Sequence, residues 1–113
     1  MMRRAFIEEA KNQAFNSEMA SLHGAVLIHR GKIVGKGFNK YVFHSSNNKN
    51  TFSVHAEVCA IENALLKVPL EEVKKCDLVI IRVNKNGDFM NSCPCKNCQR
   101  YIKNIGIKTT YYS

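Results

Sequence analysis

Ser53-Val54-His55-Ala56-Glu57-Val58-Cys59-Ala60-Ile61-Glu62-Asn63-Ala64-Leu65-Leu66-Lys67-Val68-Pro69, followed by Asp77-Leu78-Val79-Ile80-Ile81-Arg82-Val83, decides how this chain folds. In the first stretch Val58, Ile61 and Leu65 recur at helical spacing, Ser53 is a suitable N-cap, and Pro69 ends the run, which predicts a helix over about 54–68. The second stretch is short, almost wholly apolar and rich in β-branched residues, the pattern of a strand buried on both faces. A helix delivered directly onto a doubly buried strand implies a sheet covered by helices.

The flanking sequence extends this pattern. Phe6, Ala10 and Ala14 fall four residues apart with Ile7 beside them, so 2–16 reads as an amphipathic helix. Ala25 to Ile28, a turn at Arg30-Gly31 and a return through Lys32-Ile33-Val34 make a hairpin that ends near Phe38-Asn39. Gly35 and Gly37 weaken the return strand but allow a backbone or a ligand to come close. Tyr41 to Phe52 reads as a polar loop running into His55, and Asn86-Gly87 as a turn. Ser92 is a candidate cap for a short helix beginning at Pro94 and closed by Gly106, with a last strand over 107–112. The order α-β-β-α-β-α-β predicts an α/β chain: a three-layer α/β/α sandwich on a central mixed sheet, minimal, with about four strands and three helices.

Size and charge narrow the function. At 113 residues, 45% of them hydrophobic, the chain is expected to form one domain over 1–113. No apolar run is long enough for a signal peptide or a membrane helix, so a cytoplasmic protein without membrane partners is expected. The formal net charge of +8 favours an anionic partner, a nucleotide or a nucleic acid, although the basic residues are spread along the chain rather than massed. Five cysteines, an odd number, argue against a disulfide framework and for metal or redox chemistry.

His55, Glu57, Cys95 and Cys98 carry that chemistry. An imidazole and two thiolates suit zinc, and three protein ligands leave a fourth tetrahedral corner for water, which marks a catalytic rather than a structural site. Both halves of the set fall at helix starts, where partial positive charge stabilises thiolates. Glu57 lies close enough to act on such a water without binding the metal. Cys59 and Cys93 are the candidates for a fourth ligand that would close the site. Asn39, at the end of a strand, offers a carboxamide to a ligand hydroxyl or simply closes the hairpin. His44, Phe43 and Phe52 either line the site or anchor the loop. Lys96, Arg100 and Lys103 form a solvated helix face with phosphate contact as the alternative, and His23 and His29 are given no role.

His55-Ala56-Glu57 with Pro94-Cys95-Lys96-Asn97-Cys98, together with His23 to Ile28 and Gly35-Lys36-Gly37-Phe38-Asn39, resembles the cytidine/deoxycytidylate deaminase superfamily. The resemblance implies zinc (Zn2+) on His55, Cys95 and Cys98, Glu57 as proton carrier, Asn39 at the sugar, the Ala56 backbone at the base, and a homo-oligomer. It implies hydrolytic conversion of cytosine to uracil in a small-molecule nucleoside or nucleotide, releasing ammonia. Two alternatives stand beside it: a polynucleotide deaminase, acting on cytosine in single-stranded nucleic acid or adenosine in tRNA, and a non-catalytic zinc-stabilised binding module.

Overall fold

The computed structural model describes residues 3–43 and 51–113, and the side chains of 42, 43, 51 and 52 are not described. Within them the chain forms α1 (Arg4–Ala14), β1 (Leu22–His29), β2 (Lys32–Phe38), β3 (Lys40–Phe43), β4 (Thr51–Val54), α2 (Ala56–Leu65), α3 (Leu70–Val73), β5 (Asp77–Val83), β6 (Phe89–Met90), α4 (Lys96–Ile105) and β7 (Thr109–Tyr112).

Strand β5 lies at the centre of a five-stranded mixed sheet. It pairs antiparallel with β1 along one edge, and along the other edge with β7, parallel, and β6, antiparallel. The β1–β2 hairpin turns through Arg30 and Gly31, both at positive φ (51° and 78°), the two-residue turn whose twist matches that of its strands.

Side-chain alternation divides the sheet into two apolar faces. Val26, Ile28, Val79, Ile81 and Val83 face α1 and meet Ala10 and Ala14. Ala25, Leu27, Leu78 and Ile80 face the other way, onto Ala56, Ala60, Ile61 and Ala64 of α2, Val73 and Ile102. Leu27, Ile61, Leu78 and Ile80 are fully buried, each contributing about 1.5–3 kcal/mol of transfer free energy. The expected α/β/α layering and mixed sheet are present.

Several local expectations change. Helix α2 starts later than Val54, because Ser53 and Val54 belong to β4 and pair with Tyr41 and Lys40 of β3. Its packing stripe is alanine rather than Val58, Ile61 and Leu65: Ile61 is buried, but Leu65 is exposed and Val58 only half-buried. The cause is the pair of glycines in β2. A Cβ on Gly35 would collide with the Ala60 carbonyl oxygen, and one on Gly37 would lie 2.5 Å from the Ala60 nitrogen. The helix backbone approaches so near that only small residues fit between it and the strand. The polar stretch after Asn39 also begins and ends as a two-stranded ribbon, β3 with β4, rather than as a loop. His44 and the Asn-rich segment 44–50 lie outside the described residues.

Candidate metal centre and adjoining pocket

His55 and Cys95 occupy equivalent places, each the extended residue before a helix, α2 and α4 respectively (φ −75°, ψ 152° and φ −67°, ψ 166°). The imidazole of His55 makes no capping bond and is free to turn outward. Cys95 Sγ caps α4 by accepting the Cys98 backbone N–H, which fixes the two cysteines one turn apart on the same face.

The two helix starts converge. His55 Nδ1 lies 3.0 Å from Cys98 Sγ and 3.8 Å from Cys95 Sγ, and all three donor atoms lie within 4.8 Å of one another. Zinc bonds of about 2.0–2.1 Å to nitrogen and 2.3 Å to sulfur, at tetrahedral angles, put donors about 3.6–3.8 Å apart. The His55–Cys95 pair stands at that spacing and the His55–Cys98 pair is closer by about 0.6 Å, so a small adjustment of the imidazole would let all three hold one ion, with Nδ1 the nearest nitrogen. Among the described residues this cluster holds no fourth donor: neither Cys59 nor Cys93 belongs to it, and Glu57 lies beside Cys98 without joining the set.

Burial pushes the Cys98 thiol far above the ordinary thiol range, and the negative charges of Glu57 and Cys95 reinforce the shift. A cation is what reverses this, since a coordinating thiol is deprotonated outright.

Glu57, in the first turn of α2, is only 4% exposed. It opens onto a cavity of about 250 Å³, just under the usual range for small-molecule sites, lined also by His23, Asn39, Ala56, Ser92 and Cys95. A second, more open depression shares Ser53, Val54, His55 and Cys95 with the first and adds Cys98, Val58, Glu62 and Tyr101, but not Glu57. Chemistry that needs a buried carboxyl beside the donors is thereby confined to the first cavity.

Asn39 is buried at the cavity wall, and its carboxamide closes the hairpin. Its Oδ1 accepts the His23 N–H (2.9 Å) and its Nδ2 donates to the Ser21 carbonyl (2.6 Å), closing the hairpin. The second Nδ2 hydrogen is free for the cavity or for His23 Nδ1, 3.5 Å away. Lys96, Arg100 and Lys103 are exposed, as a solvated face requires. His29 contacts Glu72 at 2.8 Å, tying β1 to α3.

Two residues acquire places that motif reading did not give them. His23 lines the cavity, and burial lowers its pKa, which keeps the ring neutral at pH 7. Its period-two phase with Ala25 and Leu27 would have placed it on the α2 face. Ser92 is no helix cap, since α4 begins at Lys96 behind Cys95. Its buried hydroxyl donates to the Ile80 carbonyl (2.9 Å) and accepts the Ser113 N–H (2.8 Å). It thus ties the segment that carries Cys95 to the central strand.

A three-layer α/β/α fold with a His-Cys-Cys cluster and a buried carboxyl at the heads of two helices defines a metal-site domain of the nucleobase-deaminase type. Residues 1–113 match the family described as the cytidine and deoxycytidylate deaminase zinc-binding region, and the chain belongs to that family. Solved structures agree. The apo dCMP deaminase of cyanophage S-TIM5 is 25% identical, with a TM-score of 0.72 over 98% of this chain and 84% of that one. The cytidine deaminase of Burkholderia pseudomallei (21% identity, TM-score 0.66, 99% and 83% covered) shares the fold. So does the guanine deaminase of Bacillus subtilis (24%, 0.63, 100% and 64%). No curated protein sequence matches the chain.

Proposed function

We propose that this chain is a zinc-dependent hydrolase that converts cytosine to uracil in a cytidine or deoxycytidine nucleoside or nucleotide. The observation that carries the reading is the convergence of His55, Cys95 and Cys98, with His55 and Cys95 lining the same cavity as the buried Glu57. His55, Cys95 and Cys98 would hold the ion, which when bound supplies a water that ionises near neutral pH.

The chain's own groups do the rest. Glu57 is within the cavity and takes the proton lost by the attacking water. It delivers that proton to the ring nitrogen of the base, then carries the second proton of the same water, from the new C4 hydroxyl, to the departing amine as the C4 carbonyl forms, so water and cytosine become uracil and ammonia. The Ala56 backbone borders the base, and Asn39 presents its free amide hydrogen to the sugar. A homo-oligomer is part of the reading, and the exposed apolar residues Phe89, Met90, Tyr111 and Tyr112 supply a surface for it.

The test is to incubate zinc-loaded protein with cytosine, adenine and guanine compounds, free and polymeric, and to measure ammonia. Release from cytidine or deoxycytidine compounds is expected. Release from polymers alone would replace this reading with the polynucleotide one. Zinc binding without any release would favour the binding module.

A further inference from the structure

Strand β7 forms an open edge of the sheet. It pairs parallel with β5, Thr110 opposite Leu78 and Tyr111 opposite Val79, and among the described residues no strand lies beyond it. The Ser113 N–H donates to the Ile80 carbonyl at 3.2 Å. Backbone groups along a strand point alternately to its two sides. Thr109, Tyr111 and Ser113 therefore bond inward, and Thr110 and Tyr112 turn their N–H and C=O groups outward. Native edges are commonly blunted by charge, proline or a bulge. The run Thr109-Thr110-Tyr111-Tyr112 carries none of these.

A groove flanks this edge on each face of the sheet. On the α4 side, one of about 590 Å³ is lined by Ile102, Ile107 and Thr110. On the α1 side, one of about 450 Å³ is lined by Ile7, Val79, Ile81 and Tyr111. Tyr112 borders both. Tyr111, Tyr112 and the neighbouring Phe89 remain 40–53% exposed.

Resting on the homo-oligomer of the reading above, we propose that β7 docks β7 of a second copy of this chain, added antiparallel about a two-fold axis at Tyr111. In that register Thr110 of each copy exchanges both backbone bonds with Tyr112 of the other, four bonds in all. A slip of two residues either way leaves only one such pair within the strand. Tyr111 meets its own counterpart at the closely spaced, non-bonded position, and each Thr110–Tyr112 pair is of the aromatic and β-branched kind that stabilises sheets. Charge selects the same orientation. Copies of a chain of net charge +8 repel, so contact is favoured where the nearest cations stay apart. Antiparallel addition sets the two Lys108 positions six residues out of step, roughly 20 Å apart and beyond the screening length at physiological salt. Parallel addition would set them side by side. An aromatic side chain buries about 150–250 Å², so covering the exposed halves of Tyr111, Tyr112 and Phe89 hides roughly 300 Å² per copy, under half of the about 800 Å² of a standard interface. The dimer is accordingly reversible rather than permanent.

Sedimentation velocity of the zinc-loaded full chain over a wide concentration range tests this, and wild type should pass from monomer to dimer. Thr110→Pro removes only an outward N–H, which an edge strand tolerates, and with it two of the four bonds. Its dimer Kd should rise about ten- to a hundredfold, while urea unfolding of dilute protein stays unchanged. Tyr111→Lys sets like charges across the axis and should abolish the dimer, whether or not the proline variant folds. In a Cys59→Ser, Cys93→Ser background, Tyr111→Cys should form an intermolecular disulfide, because non-bonded partners stand about 4.5 Å apart at Cα, and Thr109→Cys should not. A wild type that stays monomeric at every concentration overturns this interface and the oligomer reading together. Undiminished self-association of Thr110→Pro and Tyr111→Lys, or cross-linking through Thr109→Cys and not Tyr111→Cys, overturns the interface and leaves the oligomer reading standing.

Discussion

Replacing Gly37 with alanine should both destabilise the chain and loosen its metal centre. The added Cβ would sit 2.5 Å from the Ala60 nitrogen and 2.7 Å from Cys59 Cβ. Ordinary heavy-atom contacts are about 3.5–4.0 Å, so α2 would have to withdraw by roughly 1 Å. Overpacking costs about 1–3 kcal/mol, and the upper end applies because the obstacle is helix backbone, which has no rotamer to change. The same withdrawal carries His55 and Glu57, at the head of α2, away from Cys95 and Cys98 on α4. Zinc affinity should fall at least about tenfold, as when a ligand's supporting contacts are lost. Urea unfolding and chelator competition measure the two effects. Gly31→Ala is the control: its Cβ would meet only the Arg3 guanidinium, at an ordinary 3.9 Å, so it carries only the strain of its positive φ, about 1–2 kcal/mol, and should leave zinc binding alone. If Gly37→Ala unfolds no earlier than Gly31→Ala and binds zinc with parental affinity, the argument that glycine spacing positions the helix is wrong.

Three further outcomes are expected. Ser92→Ala removes one side-chain bond each from the Ile80 carbonyl and the Ser113 N–H, which still bond each other at 3.2 Å, and should cost about 0.5–1.5 kcal/mol in chemical denaturation. Cys59→Ser combined with Cys93→Ser should still bind one zinc per chain by metal analysis; loss of the ion would reveal a fourth protein ligand. The metal-free protein should lose stability as pH rises above about 9, the ordinary thiol value, because the unfolded chain then ionises Cys98 while burial keeps the folded thiol protonated. Denaturation across pH 7–10 checks the sign, and Cys98→Ser should flatten the slope.

Much of this was legible in the residues because it depends on local pattern. The continuous apolar run of β5, the Arg30-Gly31 turn and the His-x-Glu and Cys-x-x-Cys spacings are each set by a few neighbouring residues. The convergence of His55 with Cys95 and Cys98 follows once both fall at helix starts on one side of a sheet. What escaped depends on distant partners. Leu65 fits a helical stripe, but Gly35 and Gly37, some thirty residues earlier, exclude large side chains from that face. Ser92 has the chemistry of a cap, yet its partners are Ile80 in β5 and Ser113 just beyond β7. The β3–β4 ribbon pairs residues across the Asn-rich segment with no apolar alternation to announce it, and α3 and β6 are too short to show a period. Asn39 was read as either hairpin closure or ligand contact, and its carboxamide has hydrogen-bonding capacity for both.

The most direct test of the account compares wild type with Glu57→Gln for zinc content and ammonia release on the same preparations. The account predicts one zinc per chain in both proteins, with cytosine deamination in wild type and essentially none in the variant. A variant that turns over as fast as wild type, or a wild type purified in zinc that holds no stoichiometric ion, would contradict it.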